Sequence, residues 1–131
     1  MNDSTFLNDV SKTTAGFGSL NEVKVIEKTE NSVTLEFSVP AGSPYFSGHF
    51  PGFPILPAVA QTELILRFAS AFFGTGINVS EIKRIKFSGI FKPDILHRLQ
   101  LGKNEKTISF KIVSLDEKTV FSSGVFVLNL D

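Results

Sequence analysis

The segment PAVAQTELILRFASAFF, residues 57–73, constrains the fold more than any other part of the chain. It is built of good helix formers. Pro57 suits a first helical turn, where its missing N–H costs nothing, and Gly74 and Gly76 provide a C-terminal stop. Wound at about 100° per residue, Val59, Ala60, Leu64, Ile65, Leu66, Phe68, Ala69, Phe72 and Phe73 leave no clear solvent face. Only Glu63, Arg67 and Ser70 form a narrow polar stripe. Such a helix is expected to be buried, so the rest of the chain must wrap it.

The remaining sequence reads as the wrapping. Val23, Val25 and Glu27 alternate with Lys24, Ile26 and Lys28 in a first strand. After a tight turn at Asn31 and Ser32, Val33, Leu35, Phe37 and Val39 line one face of a second, with Thr34, Glu36 and Ser38 on the other. Beyond the helix, 82–91 reads as a strand with Ile85, Phe87 and Phe91 on one face and Arg84, Lys86 and Ser88 on the other. Segments 96–101, 107–115 and 119–130 read as three more, the last two joined by a turn at Asp116, Glu117 and Lys118. This order predicts an α+β domain, an antiparallel sheet curled around one long central helix. A chain of 131 residues suits one domain, and 42% apolar residues suffice for its core. Residues 1–21 are polar and read as an N-terminal arm or short helix, leaving 22–131 as the domain.

Composition excludes several functions. Lys and Arg total 13 and Asp and Glu total 13, so no overall charge argues for nucleic acid. The absence of cysteine rules out disulfides and thiolate zinc sites, and favours the cytoplasm. No metal or cofactor is expected. The apolar run 64–73 is broken by Arg67 and is too short for a bilayer. The N-terminus lacks the basic-then-apolar series of a signal peptide. Fourteen phenylalanines against one tyrosine and no tryptophan point to a greasy interior or a greasy ligand, and composition does not separate the two.

Chemistry concentrates in the proline- and glycine-rich connection 40–57 and at the helix start. An ordered connection of this length is often functional. It carries His49, between Gly48 and Phe50-Pro51, in backbone that should be stiff. Histidine is suited to moving a proton near neutral pH, although a lone loop histidine is more often structural. Glu63 follows fourteen residues later, inside the apolar helix. Two forces oppose there: an ion pair with Arg67 at i+4 would hold Glu63 ionised, and desolvation by Phe and Leu neighbours would favour the neutral acid. Backbone N–H groups around Ala58 to Ala60 lack intrahelical acceptors and, with the helix dipole, favour negative charge. Together these groups suit proton removal beside a carbonyl followed by loss of a β-hydroxyl.

The run Gly48-His49-Phe50-Pro51-Gly52-Phe53-Pro54-Ile55-Leu56-Pro57, with Val59 and the acid at Glu63, resembles the β-hydroxyacyl-acyl carrier protein dehydratases. Pro-Ile-Leu-Pro and Val59-Ala60-Gln61 are more similar to the aryl polyene pathway type than to the fatty acid synthesis branch. The resemblance implies a hot-dog fold and a dimer joined sheet edge to sheet edge, each active site taking its histidine from one subunit and its acid from the other. It implies that His49 is the base at the α-carbon and that Glu63 orients the β-hydroxyl and donates or relays its proton. The N–H of Ala58 would hold the thioester carbonyl, with Gly48, Phe50, Pro57, Val59 and Gln61 at the substrate. An acyl carrier protein would deliver that substrate, and the second subunit would be a second copy or a related hot-dog chain. Two departures stand out: Ala58 replaces the usual glycine, and Thr62 replaces a larger apolar residue. The other readings are a hot-dog hydratase or thioesterase on coenzyme A esters, and a non-catalytic subunit of a heterodimer. His97 reads as structural. Lys83, Arg84, Lys86, Lys92, Arg98 and Lys103 read either as a solvated sheet edge or as a landing patch for an acidic carrier.

Overall fold

The computed structural model describes residues 21–40, 58–74, 77–88 and 91–129. Their elements are β1 (Asn21–Lys28), β2 (Ser32–Ser38), α1 (Ala58–Phe73), β3 (Val79–Phe87), β4 (His97–Lys103), β5 (Thr107–Val113) and β6 (Val120–Leu128). The strands form one antiparallel six-stranded sheet in the order β1-β2-β4-β5-β6-β3.

Alternation along each strand sets the core. Val33, Leu35 and Phe37 of β2, Leu99 and Leu101 of β4, Ile108, Phe110 and Ile112 of β5, and Phe126 of β6 are all buried. The register aligns Leu35 with Leu99, Leu99 with Ile112, and Ile112 with Ser122, so these side chains share one face. Helix α1 fills that face with Ala60, Leu64, Ile65, Phe68 and Ala69. Phe68 meets Phe37 with ring centroids 5.1 Å apart, tying the middle of the helix to the second strand. Burying each such side chain contributes roughly 1.5–3 kcal/mol.

The turns follow local chemistry. At the β1–β2 turn the Thr29 amide donates to the Ser32 carbonyl at 2.9 Å. Between β4 and β5 the Asn104 side-chain oxygen accepts from the amides of Lys106 and Thr107 and from the Thr107 hydroxyl. Between β5 and β6 the Asp116 carboxylate accepts from the Ser114 hydroxyl and the Lys118 amide, which holds its pKa below the usual value. Glu117 there adopts φ 61°. Gly74 ends α1 at φ 107°, its amide bonding the Ser70 carbonyl, as the sequence predicts.

Strand β3 departs from expectation. It runs 79–87 rather than 82–91, and Phe91 lies beyond it, buried and stacked on His97. A bulge between Lys83 and Lys86 places Arg84 at φ 54°. The extra residue resets the alternation, so that Ile82 pairs with Phe126 and Phe87 pairs with Ser122, both buried positions. Although these side chains share the core face, Ile82, Ile85 and Phe87 remain 38%, 40% and 38% exposed. The cause is position: among the described residues β3 is the last strand of the sheet, bonded to β6 alone.

One glycine is fixed by close approach. A Cβ on Gly124 would come within 2.7 Å of the Phe110 ring and 3.4 Å of the Ile85 backbone. The Phe110 ring is buried and stacked on Phe126 at 4.8 Å, so it has little room to yield. Gly124→Val is therefore expected to lower stability by about 1–3 kcal/mol, measured as a reduced urea midpoint with unchanged slope.

Candidate active site

Helix α1 carries the described part of the candidate site. It begins at Ala58, next to the position expected from Pro57, and its first turn holds no acidic side chain. The amides of that turn are therefore not matched by a carboxylate of their own helix. Ala58 is exposed, so its methyl does not press into the core, and its carbonyl accepts the Thr62 hydroxyl at 3.0 Å. Thr62 is thereby engaged by its own helix rather than turned freely toward a channel.

Further along, the helix divides as its sequence pattern requires. Ala60, Gln61, Leu64, Ile65, Phe68 and Ala69 are buried, whereas Thr62, Glu63, Leu66, Arg67 and Ser70 are intermediate. The polar stripe is thus half-buried, along the side away from the sheet. Within it Arg67 Nη2 donates to Glu63 Oε1 at 2.5 Å. The side chains are 32% and 41% exposed, so the pair contributes only about 0.3–0.5 kcal/mol to stability. Its larger consequence is that the carboxylate form of Glu63 has a charged donor against it.

Of the residues expected at the site, Ala58, Val59, Gln61 and Glu63 lie on this helix. Ala58 and Glu63 are accessible, Gln61 is 3% exposed, and Val59 contributes backbone to the first turn. His49, Gly48, Phe50 and Pro57 lie outside the described residues. Among the described residues no cluster of His, Cys, Asp and Glu could hold a metal ion, and no helix is long and apolar enough to cross a membrane.

His97 opens β4 and belongs to the core. It is 1% exposed, stacked on Phe91 at 4.0 Å and 9°, with the edge of Phe121 at 4.6 Å. Burial lowers its pKa from the usual 6.5 to about 4, partly offset by a hydrogen bond to the Ile95 backbone. The imidazole is neutral at physiological pH, a structural aromatic as the sequence reading has it.

The basic residues do not act as one cluster. Arg98 is taken up by Glu36 at 2.9 Å, with Glu117 at 3.8 Å. Lys83, Arg84 and Lys103 line a groove of about 600 Å³ on the outer face of the sheet, together with Lys106. Lys106, in the β4–β5 turn, and Lys111 of β5, the latter lining an adjoining groove, escaped the sequence reading because they come from later parts of the chain. Neither groove is lined by a residue of α1.

The architecture has counterparts among solved structures. A chain of the dehydratase heterocomplex ApeI:P from Xenorhabdus doucetiae matches with a TM-score of 0.70 at 23% identity, over 81% of this chain and 96% of that one. Thioesterase superfamily member 2 from Mus musculus matches with a TM-score of 0.66 at 11% identity, over the whole of both. These likenesses define the class: the protein has the hot-dog fold. Sequence takes the assignment further. Residues 25–125 match the ApeI-like family, described as ApeI dehydratase. The 3-hydroxyacyl-[acyl-carrier-protein] dehydratase FabZ of Zymomonas mobilis is 31% identical over 119 residues, covering 82% of this chain and 75% of that protein. The chain belongs to the ApeI-like dehydratase family, and dehydratases are hydro-lyases.

Proposed function

We propose that the protein eliminates water from a 3-hydroxyacyl thioester carried on acyl carrier protein, giving the trans-2-enoyl thioester, in fatty acid or aryl polyene biosynthesis. The observation that carries this reading is Glu63: an accessible carboxylate on a core helix, five residues past a helix start that has no acidic side chain of its own. The substrate assignment draws on the FabZ relative, whose name specifies 3-hydroxyacyl groups on the carrier.

In this mechanism the thioester carbonyl sits at the amide of Ala58, where the helix start stabilises enolate-like charge. His49, in its neutral form, removes the α-proton. The Cα–Cβ double bond forms as the β C–O bond breaks, and the oxygen leaves as water. Glu63 orients the β-hydroxyl. Gly48, Phe50, Pro57, Val59 and Gln61 contribute to the substrate channel. No cofactor is required, because the α-proton is acidified by the thioester and the leaving group by protonation.

The open edge of β3 supports assembly. Its exposed Ile82, Ile85 and Phe87, and an outer backbone edge that no described strand pairs, suit a second hot-dog chain, pairing strand to strand. The histidine and the acid of one site would then come from different subunits. Ile85→Glu is expected to shift the protein from dimer to monomer in size-exclusion chromatography with light scattering, and to remove activity with it. A variant that stayed dimeric would reject β3 as the seam.

A second reading follows from the structural neighbour ApeI:P, a heterocomplex. The chain would then be one subunit of a heterodimer, and Ala58, at the position where its methyl is exposed, would mark the less active member. The two readings separate in one assay: hydration of a trans-2-enoyl-carrier protein, followed by loss of enoyl absorbance. Turnover by the pure homodimer supports the first. Activity appearing only with a related second subunit supports the other. No activity toward the enoyl thioester in either form would reject both.

A further inference from the structure

We propose that Arg67 is a positioning residue that holds Glu63 as an oriented carboxylate, so that Glu63 accepts a hydrogen bond from the β-hydroxyl and does not supply its proton. This rests on the dehydratase reading above and deepens it. The geometry is direct: Arg67 Nη2 lies 2.5 Å from Glu63 Oε1, one helical turn apart, in the half-buried stripe that flanks the core. A guanidinium at this distance favours the ionised carboxylate and fixes its rotamer, since Arg donates in a rigid planar fork.

Among the described residues the surroundings do not counter it. Glu63 and Arg67 are the only charged residues of α1. Among the described residues, the titratable group on the core face of the sheet is His97, neutral by burial. Asp94 lies in the turn before β4, its amide bonded to the Val39 carbonyl. Lys28 and Glu30 sit by Phe72, about two and a half helical turns from Glu63.

The proton balance follows. The α C–H bond breaks and its proton passes to His49. The double bond forms, the β C–O bond breaks, and the same proton returns from the imidazolium to the departing oxygen. One water leaves, His49 is neutral again, and Glu63 remains an anion throughout. Arg67 thus acts through Glu63 and does not itself touch the substrate.

The test is a double-mutant cycle in the enoyl-thioester hydration assay on the full chain. Arg67→Met is expected to lower kcat on the order of 10- to 100-fold with KM changed less than about 3-fold. Arg67→Lys, which keeps the charge, is expected to recover most of the loss. In a Glu63→Gln background Arg67→Met is expected to add nothing further, a non-additivity that a merely structural arginine would not produce. Full additivity, or an Arg67→Met enzyme as fast as or faster than wild type, overturns the proposal; the faster enzyme is what a proton-donating Glu63 would give. Wild-type protein without turnover, alone or with a second subunit, overturns the dehydratase reading and this inference together. An active wild type indifferent to Arg67 overturns the inference alone.

Discussion

His49→Ala is expected to reduce dehydration and hydration by about 10²- to 10⁴-fold while leaving the circular dichroism spectrum and the subunit assembly of the wild type. The size follows from the role proposed for it. Without a base at the α-carbon, the thioester must lose its proton to water, which neither the positive helix start at Ala58 nor the carboxylate of Glu63 can offset. Glu63→Gln keeps the shape and removes the charge, so it is expected to slow kcat strongly and alter substrate binding less. Turnover near wild type in His49→Ala would remove the proposed mechanism, whatever happens at Glu63. Mixing the two single variants adds a further check: if the residues of one site come from two subunits, heterodimers of His49→Ala and Glu63→Gln recover one intact site.

The second large effect concerns stability in mild acid. His97 has a folded pKa of about 4 against its usual 6.5. As pH falls, the unfolded chain therefore takes up the proton first. Stability is full above about pH 6.5 and is lost progressively as pH falls toward 4, because protonation must wait for the imidazole to leave its cage of Phe91 and Phe121. At pH 5 the loss is roughly 2 kcal/mol, from about 1.4 kcal/mol per pH unit. His97→Phe cannot titrate and is expected to lack this part of the acid sensitivity, seen by comparing urea unfolding of both proteins at pH 7.5 and pH 5. Equal slopes would show that the buried imidazole is not the sensor.

Much of this architecture is legible in the sequence because the signals are local. The apolar segment 57–73 with Gly74 after it gives α1 nearly to the residue. Alternation at Val33, Leu35 and Phe37 gives the core face of β2. The polar stripe of Glu63, Arg67 and Ser70 falls where a helical period puts it. What escapes is set by distant parts of the chain. Nothing near Arg84 signals a left-handed backbone, since the bulge depends on pairing with β6. Phe91 alternates like a strand residue, yet it is drawn out of the sheet to cover His97. The competition at Glu63 between ion pairing and desolvation is likewise undecidable from spacing alone, because burial of the stripe depends on the tertiary fold. The structure brings Arg67 onto the carboxylate at 2.5 Å.

Among the described residues, strand β3 has an outer edge with no strand partner and three partly exposed greasy side chains. Whatever completes it adds its association free energy to the folding of each chain, so heat resistance becomes a function of how much protein is in the tube. Melting curves recorded over a hundredfold range of dilution should then slide to lower temperature as the sample thins, and hydrogen exchange at the amides of β3 should quicken before that of β4 or β5.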